Sequence, residues 1–453
     1  MNIAAAQKQW RLLGWLLLLL IVLAYPIRYI QQITLGQVVL YTGLVRMSLF
    51  VLVFALAAWM AARGSSREQS RILAIGYALV SVLLYNVVVV NFGLFYAAYG
   101  LDIFFVPPAI ALLCLLNSRY FPPRGEEEER QIVRLLLVVA VPIALFGIVQ
   151  YVLNNPILQT GFATTPGDEF GSVGQAAIRL TELQATRHIR ANSIFGSAID
   201  FGHFDVLFAL LCIGMAVKSR HRPVAALGHL FLTGIFVAAA MSTSTRNILV
   251  YLGCCAIGCL FILAGFGVRT LVALSLALVG IFYGTIYGVI EFAPRFFLGF
   301  FDVASLLERA RGVYSTVDQY IVNADSLTHV LFGFGYMQSL DFKFLPTTVF
   351  DNTELDIYLY AGVCGVVLYV VLLLAMFSRA VRQWRETGSV AWLAVASLFV
   401  GTPLFSTLNI DLDHPYLLFV FALIVGGWAA PATRTTLSGN ALAGDRRVGL
   451  GVV

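Results

Sequence analysis

The sequence predicts an all-α polytopic membrane protein, and three observations predict it. The chain is 60% hydrophobic and only 12% charged over 453 residues, with a mean hydropathy of +0.86. A soluble fold carries about twice that share of charge. Its apolar residues gather into about twelve runs, most of them near the ~20 residues a helix needs to cross a bilayer. Basic residues recur in alternate connections, as they do where loops stay in the cytoplasm.

The runs follow in order. The first, 12–27, comes after Lys8 and Arg11 as in a signal peptide, but no small-residue cleavage pattern follows, so it reads as an uncleaved span. Runs 43–62 and 72–91 enclose Arg63, Arg67 and Arg71. The fourth, 98–117, is interrupted by Asp102 and by Pro107–Pro108, and leads to Arg119, Arg124, Arg130 and Arg134. The fifth, 132–153, opens onto a long connection at 154–193. Runs 194–217 and 223–242 enclose Lys218, Arg220 and Arg222, and runs 246–267 and 270–292 enclose Arg269. A second long connection, 293–356, separates these from runs 357–378, 389–408 and 414–431. Arg379, Arg382 and Arg385 lie between the first two of those, and Arg434, Arg446 and Arg447 lie in the tail, 433–453.

Most of the 29 Lys and Arg thus fall on one side with both termini, which makes that side cytoplasmic; most of the 24 acids fall on the other. We expect one integral membrane domain, 1–453, with two outer loops. Loops this long between spans carry function or are disordered. The second has a helical stretch at 303–330, a turn at Gly333-Phe334-Gly335 and a break at Pro346, so it reads as an ordered cap. No inverted repeat of the transporter kind is evident.

The composition also excludes some classes. The net charge of +5 belongs to the cytoplasmic loops and makes no case for nucleic acid. Cys114, Cys212, Cys254, Cys255, Cys259 and Cys364 lie in apolar runs and read as packing residues. There is no P-loop, no dinucleotide glycine pattern, no nucleophile elbow and no metal-ligand spacing, so neither metal nor cofactor is expected.

Three arginines stand against the charge bias. Arg190 precedes the sixth run, Arg246 sits in the tight turn before the eighth, and Arg311 belongs to the large outer loop. A guanidinium presents a planar fork that fits two phosphate oxygens and keeps its charge. Several converging guanidinia need a multiply charged anion between them, and a diphosphate at a membrane surface is one. The alternative for each arginine alone is snorkelling to headgroups or pairing with an outer acid.

Asp351-Asn352-Thr353-Glu354-Leu355-Asp356 leads into the tenth run. If helical, Asp351 and Glu354 share a face and supply a general base; the alternative is N-capping. Asp200, His203 and Asp205 near the start of the sixth run are intramembrane ionisable groups, and Asp200 and His203 are spaced to hydrogen-bond, as a structural pair, a proton relay or a metal site.

In these segments the chain resembles the O-antigen polymerase and ligase superfamily of membrane glycosyltransferases. Arg190-Ala191-Asn192-Ser193-Ile194-Phe195 resembles its Arg-x-x-Gly-x-Phe stretch, with Ser193 in the place of glycine. Thr245-Arg246 is similar to its Ser-Arg at the start of a span. Arg311 with Tyr314, then Gly333 and Gly335, resembles its outer loop. Asp351-Asn352, with Gly362 and Gly365, is similar to its His-Asn and Gly-x-x-Gly signature. The likeness covers about residues 185–370; aspartate at 351 points to the polymerase branch, and the family's Pro-Asn after the first arginine segment is replaced by Ala198 to Asp200.

The resemblance implies a GT-C-like helical fold in the bacterial inner membrane, with a periplasmic site and metal-independent, inverting chemistry. The donor would be a glycan on undecaprenyl diphosphate and the acceptor a lipid-linked repeat unit; a chain-length regulator and a flippase would be partners. Arg190, Arg246 and Arg311 would bind the diphosphate, Asp351 or Glu354 would act as base, and Asn352 would orient, with Asp200, His203 and Tyr314 around them. The ligase branch, delivering polymer to lipid A-core, is the alternative; a lipid-linked oligosaccharide flippase is the alternative of another class.

Overall fold

The computed structural model describes residues 15, 51–55, 57–59, 66–85, 105–118, 121, 124–154, 191, 193–195, 198–292, 318–322, 326–334, 352–407 and 414–429. Regular elements among them are all helices: α1 Ser66–Leu84, α2 Val106–Leu116, α3 Glu126–Leu153, α4 Ala198–Lys218, α5 Pro223–Ser242, α6 Arg246–Leu263, α7 Val268–Phe292, α8 Leu327–Phe332, α9 Thr353–Thr387, α10 Val390–Ser406 and α11 His414–Gly426. A short π-helical turn, Asp318–Val322, precedes α8.

Five of these helices are long and apolar enough to cross a membrane: those over Glu126–Leu153, Ala198–Lys218, Pro223–Ser242, Val268–Thr285 and Thr353–Thr387. Ten of the twelve apolar runs coincide with helices listed above; run 12–27 lies outside the described residues apart from residue 15, and the described parts of run 43–62 are helical. Pro107 and Pro108 mark the start of a helix inside the fourth run, whose residues 98–104 lie outside the described residues. They occupy the first turn of α2, where a missing N–H costs nothing. α3 starts earlier than its apolar run because Glu126 to Glu129 favour a helix N-terminus.

Burial has the pattern expected for a lipid solvent. Val138 and Val152 on α3, Val224 and Phe231 on α5, Leu276 on α7 and Leu368 on α9 are exposed. Water would penalise such faces, whereas hydrocarbon does not. Five cysteines are buried as expected, but Cys364 is exposed on α9.

At the centre lies α10, almost wholly buried among α4, α6, α7, α9 and α11. Its polar residues are satisfied locally: Ser397 and Thr402 donate to Leu393 and Leu398 carbonyls one turn back (2.8 and 3.0 Å). Trp392 is fully buried, and its indole donates to the Gly427 carbonyl at 2.9 Å.

One end of the bundle is tied by a buried acid. Glu129 Oε1 accepts from Ser389 Oγ (2.6 Å) and the Ala391 amide (3.0 Å), satisfying donors at the start of α10, while Lys218 Nζ stands 3.7 Å from Oε2. Arg124 reaches the Ile424 carbonyl at the same end (2.7 Å). The basic residues assigned to the cytoplasmic side thus include a structural clamp.

Candidate functional site

At the opposite end α4, α6, α9 and α11 begin and α5 and α10 finish. The turn that presents Arg246 is built by its hydroxyl residues. Ser242 and Thr243 donate to the Ala239 and Ala240 carbonyls (2.6 and 2.7 Å), closing α5. Ser244 takes the left-handed conformation at φ 49° and turns the chain. Extended Thr245 then caps α6, whose first residue is Arg246. The side chain of Arg246 lies outside the described residues, as do Arg190, Arg311, Tyr314 and Asp351.

The segment after Arg190 is held against that turn. The Ala191 amide donates to the Ser242 carbonyl at 3.1 Å. Ser193 is gripped from α3: its amide donates to Gln150 Oε1 (2.8 Å), Gln150 Nε2 donates to its carbonyl (3.1 Å), and its hydroxyl donates to the Ile143 carbonyl (2.7 Å). Ser193 has φ 49°, the region glycine enters without cost. Three hydrogen bonds hold a serine in it here. A Cβ on Gly202 would lie 2.6 Å from Ile248 Cγ1, so the first turns of α4 and α6 meet closely.

The acidic segment is resolved into distinct roles. Asn352 is extended and caps α9, its side chain accepting from the Leu355 amide at 2.9 Å. The helix therefore begins after Asn352, and the expected pairing of Asp351 with Glu354 lies outside the described residues. Glu354 turns inward and accepts from Ser406 Oγ at the end of α10; its other oxygen is buried with no hydrogen-bond partner among the described residues. Asp356, one of the flanking acids, is itself buried.

His203 is buried and stacks on His414, ring centroids 4.0 Å apart, with Tyr251 and Phe405 edge-on at 5.1 and 4.3 Å. Asp200 is exposed in the first turn of α4. Asp205 is fully buried, and neither carboxylate oxygen has a hydrogen-bond partner among the described residues.

Above α9, the expected 303–330 helix is not continuous where described: Asp318–Val322 is π-helical, and extended Ser326 starts α8 afresh. α8 ends at Gly333 (φ 86°), which packs backbone to backbone on a break in α9 at Gly362 (φ 65°). A Cβ on Gly333 would lie 2.3 Å from the Tyr360 oxygen, and one on Gly362 would lie 2.4 Å from the Leu331 carbonyl carbon. The Phe334 amide donates to the Leu359 carbonyl (2.6 Å), and Tyr358 Oη donates to the Tyr320 carbonyl (2.9 Å). Tyr85 Oη, just beyond α1, reaches the Gly333 carbonyl (3.2 Å).

Gln150, Ser406 and His414 escaped the sequence reading. Each is one polar residue in or beside an apolar run, and only the fold shows what it meets. Comparisons with protein-family models and with curated proteins find no match for this chain.

Proposed function

We propose that this chain is a twelve-span, GT-C-like glycosyltransferase of the bacterial inner membrane that polymerises a surface polysaccharide on its periplasmic face. The observation that carries the reading is the Ala191–Ser242 hydrogen bond, which joins the two arginine segments at the bundle end where Glu354 enters. Arg190 and Arg246, assisted by Arg311, hold the diphosphate of an undecaprenyl-linked glycan and stabilise it as leaving group. Glu354 or Asp351 accepts the proton of an acceptor hydroxyl as that oxygen attacks the anomeric carbon with inversion. Asn352 orients the segment through its cap on Leu355.

Arg190→Ala or Arg246→Ala, each made in the intact chain, abolishes transfer from a polyprenyl-diphosphate-linked donor; wild-type transfer by either variant contradicts the clamp. A ligase delivering polymer to lipid A-core uses the same clamp and differs in its acceptor.

A further inference from the structure

The long connection before α9 touches the bundle at an unexpected depth. Leu331 and Phe332 lie against Gly362, and Gly333 lies against Tyr360 and Ala361, all within the span Thr353–Thr387. Towards the far end of that span Arg379 stands over the Trp428 ring, 5.5 Å from its centroid. A basic and an aromatic residue of this kind gather at a membrane interface. Gly362 stands about 25 Å from Arg379 along the helix, at about 1.5 Å per residue, and a hydrocarbon core is about 30 Å thick. The junction is therefore inside the core, and any tilt of α9 sets it deeper.

At this depth α8 carries an apolar face. None of its residues is buried. Leu327 and Leu331 lie one turn apart; Leu327 is 73% exposed, and Phe332, next to Leu331, is 50% exposed. Past the junction Val363, Val367 and Val370 of α9 are exposed as well. Water penalises such a surface, whereas hydrocarbon accepts it.

The backbone is arranged for the same surroundings. Hydrocarbon offers no hydrogen bonds, so non-helical backbone persists there only where protein satisfies it. Gly333 and Phe334, which leave the helix, are the buried part of the segment. The Gly333 amide donates to the His329 carbonyl (2.7 Å), the Gly333 carbonyl accepts from Tyr85 Oη (3.2 Å), and the Phe334 amide donates to the Leu359 carbonyl (2.6 Å). At the start of α8, Ser326 Oγ accepts from the Thr328 amide (3.2 Å), and before it the Tyr320 carbonyl accepts from Tyr358 Oη (2.9 Å). The helical part is exposed and the irregular turn is covered, a division that lipid requires and water does not.

We propose that α8 and the turn at Gly333 form a re-entrant segment, with Leu327, Leu331 and Phe332 immersed in the acyl chains of the outer leaflet. The loop is then anchored in lipid at the level of Gly362 and is more than a cap above the membrane. Bulk phospholipid is the occupant, because the exposed surface of α9 beside this face belongs to a membrane span. The immersion holds whatever reaction the chain performs.

The test uses the full chain in lipid nanodiscs. A nitroxide spin label is placed at Leu327→Cys or Leu331→Cys in a Cys364→Ala background; the other five cysteines are buried. A label on the native Cys364, exposed two residues past Gly362, serves as reference. Each α8 label should collide more often with oxygen, which concentrates in hydrocarbon, than with a water-soluble nickel chelate, and its ratio should match that of Cys364. A ratio favouring the nickel chelate at Leu331 overturns the proposal. So does loss of access to both reagents with dipolar broadening between labels, which would put a second copy on this face. The wild-type chain gives a reading free of substitutions, in nanodiscs holding a phospholipid with a carbene precursor near the end of one acyl chain. Photolysis should modify peptides covering 326–334 as well as those of α9; modification of α9 alone contradicts the immersion.

Discussion

The backbone amide of Ala191 donates to the carbonyl of Ser242 over 3.1 Å, joining the segment that follows Arg190 to the turn that starts Arg246. Fifty residues of chain, including the hairpin of α4 and α5, lie between the two ends of this bond. Neither arginine motif fixes the other by sequence, so their approach depends on residues that hold Ala191 and Ser193 in place. The predictions follow from that dependence.

Gln150→Leu should disable transfer without removing any charged group. The substitution keeps an apolar side chain in α3 but strands the buried amide and carbonyl of Ser193. We expect a loss of about 1–3 kcal/mol of stability for each group left unpaired, with transfer falling further than stability does. Thermal unfolding in detergent, read beside a transfer assay, checks this; a stable, fully active variant contradicts it. Ser193→Gly, in contrast, keeps the left-handed backbone and loses one hydroxyl bond, so it should remain active.

Glu354→Gln should reduce transfer by about 10²–10⁴-fold, the range a general base contributes. Ser406→Ala removes the hydroxyl that donates to Glu354 and should have a smaller effect. Steady-state rates at saturating acceptor separate the two. Equal losses would mean that the hydrogen bond, and not the carboxylate as base, is what matters.

Gly333→Ala and Gly362→Ala should each undock α8 from α9. Both have positive φ, and each added methyl would meet backbone well inside contact distance. Each costs on the order of 1–3 kcal/mol, and the double variant costs little more than one, because the two substitutions break a single contact. Limited proteolysis within 318–334 measures it: both single variants should be cut faster than wild type and at similar rates.

Glu129→Ala should destabilise the protein yet leave the transfer chemistry intact in the fraction that folds. Its carboxylate serves Ser389, Ala391 and Lys218 at the end remote from the start of α6. Truncation strands the buried Ala391 amide, at a cost of about 1–3 kcal/mol. A shifted melting temperature with unchanged rate per folded molecule is the expected result, and a rate loss at equal stability would contradict the separation of the two ends.

Hydropathy and charge made most of the helices legible. α5 spans 223–242 in both the apolar pattern and the fold, because Arg222 and Pro223 mark its start and Ser242 to Ser244 its end. Charge misled at α3, which begins in four glutamates that hydropathy assigns to a loop. At α2 the proline pair marks a helix start, since a first-turn position suits a residue without an N–H. The motif residues were visible as types but not as partners. Gly333 and Gly362 were singled out for separate patterns, and only the fold shows that they pack on each other. Gln150 carries no local signature, since a lone polar residue in an apolar helix takes its meaning from the element it faces, and nothing in the sequence separates Glu129 from its three acidic neighbours.

The most direct test of a polymerase is the mass profile of polyprenyl-diphosphate-linked glycans in cells lacking this protein, with rescue by the intact gene. Single repeat units should accumulate outside the cytoplasmic membrane while long chains disappear, and Arg246→Ala should fail to restore them. Accumulation of long lipid-linked chains instead would contradict polymerisation and assign the chain to ligation.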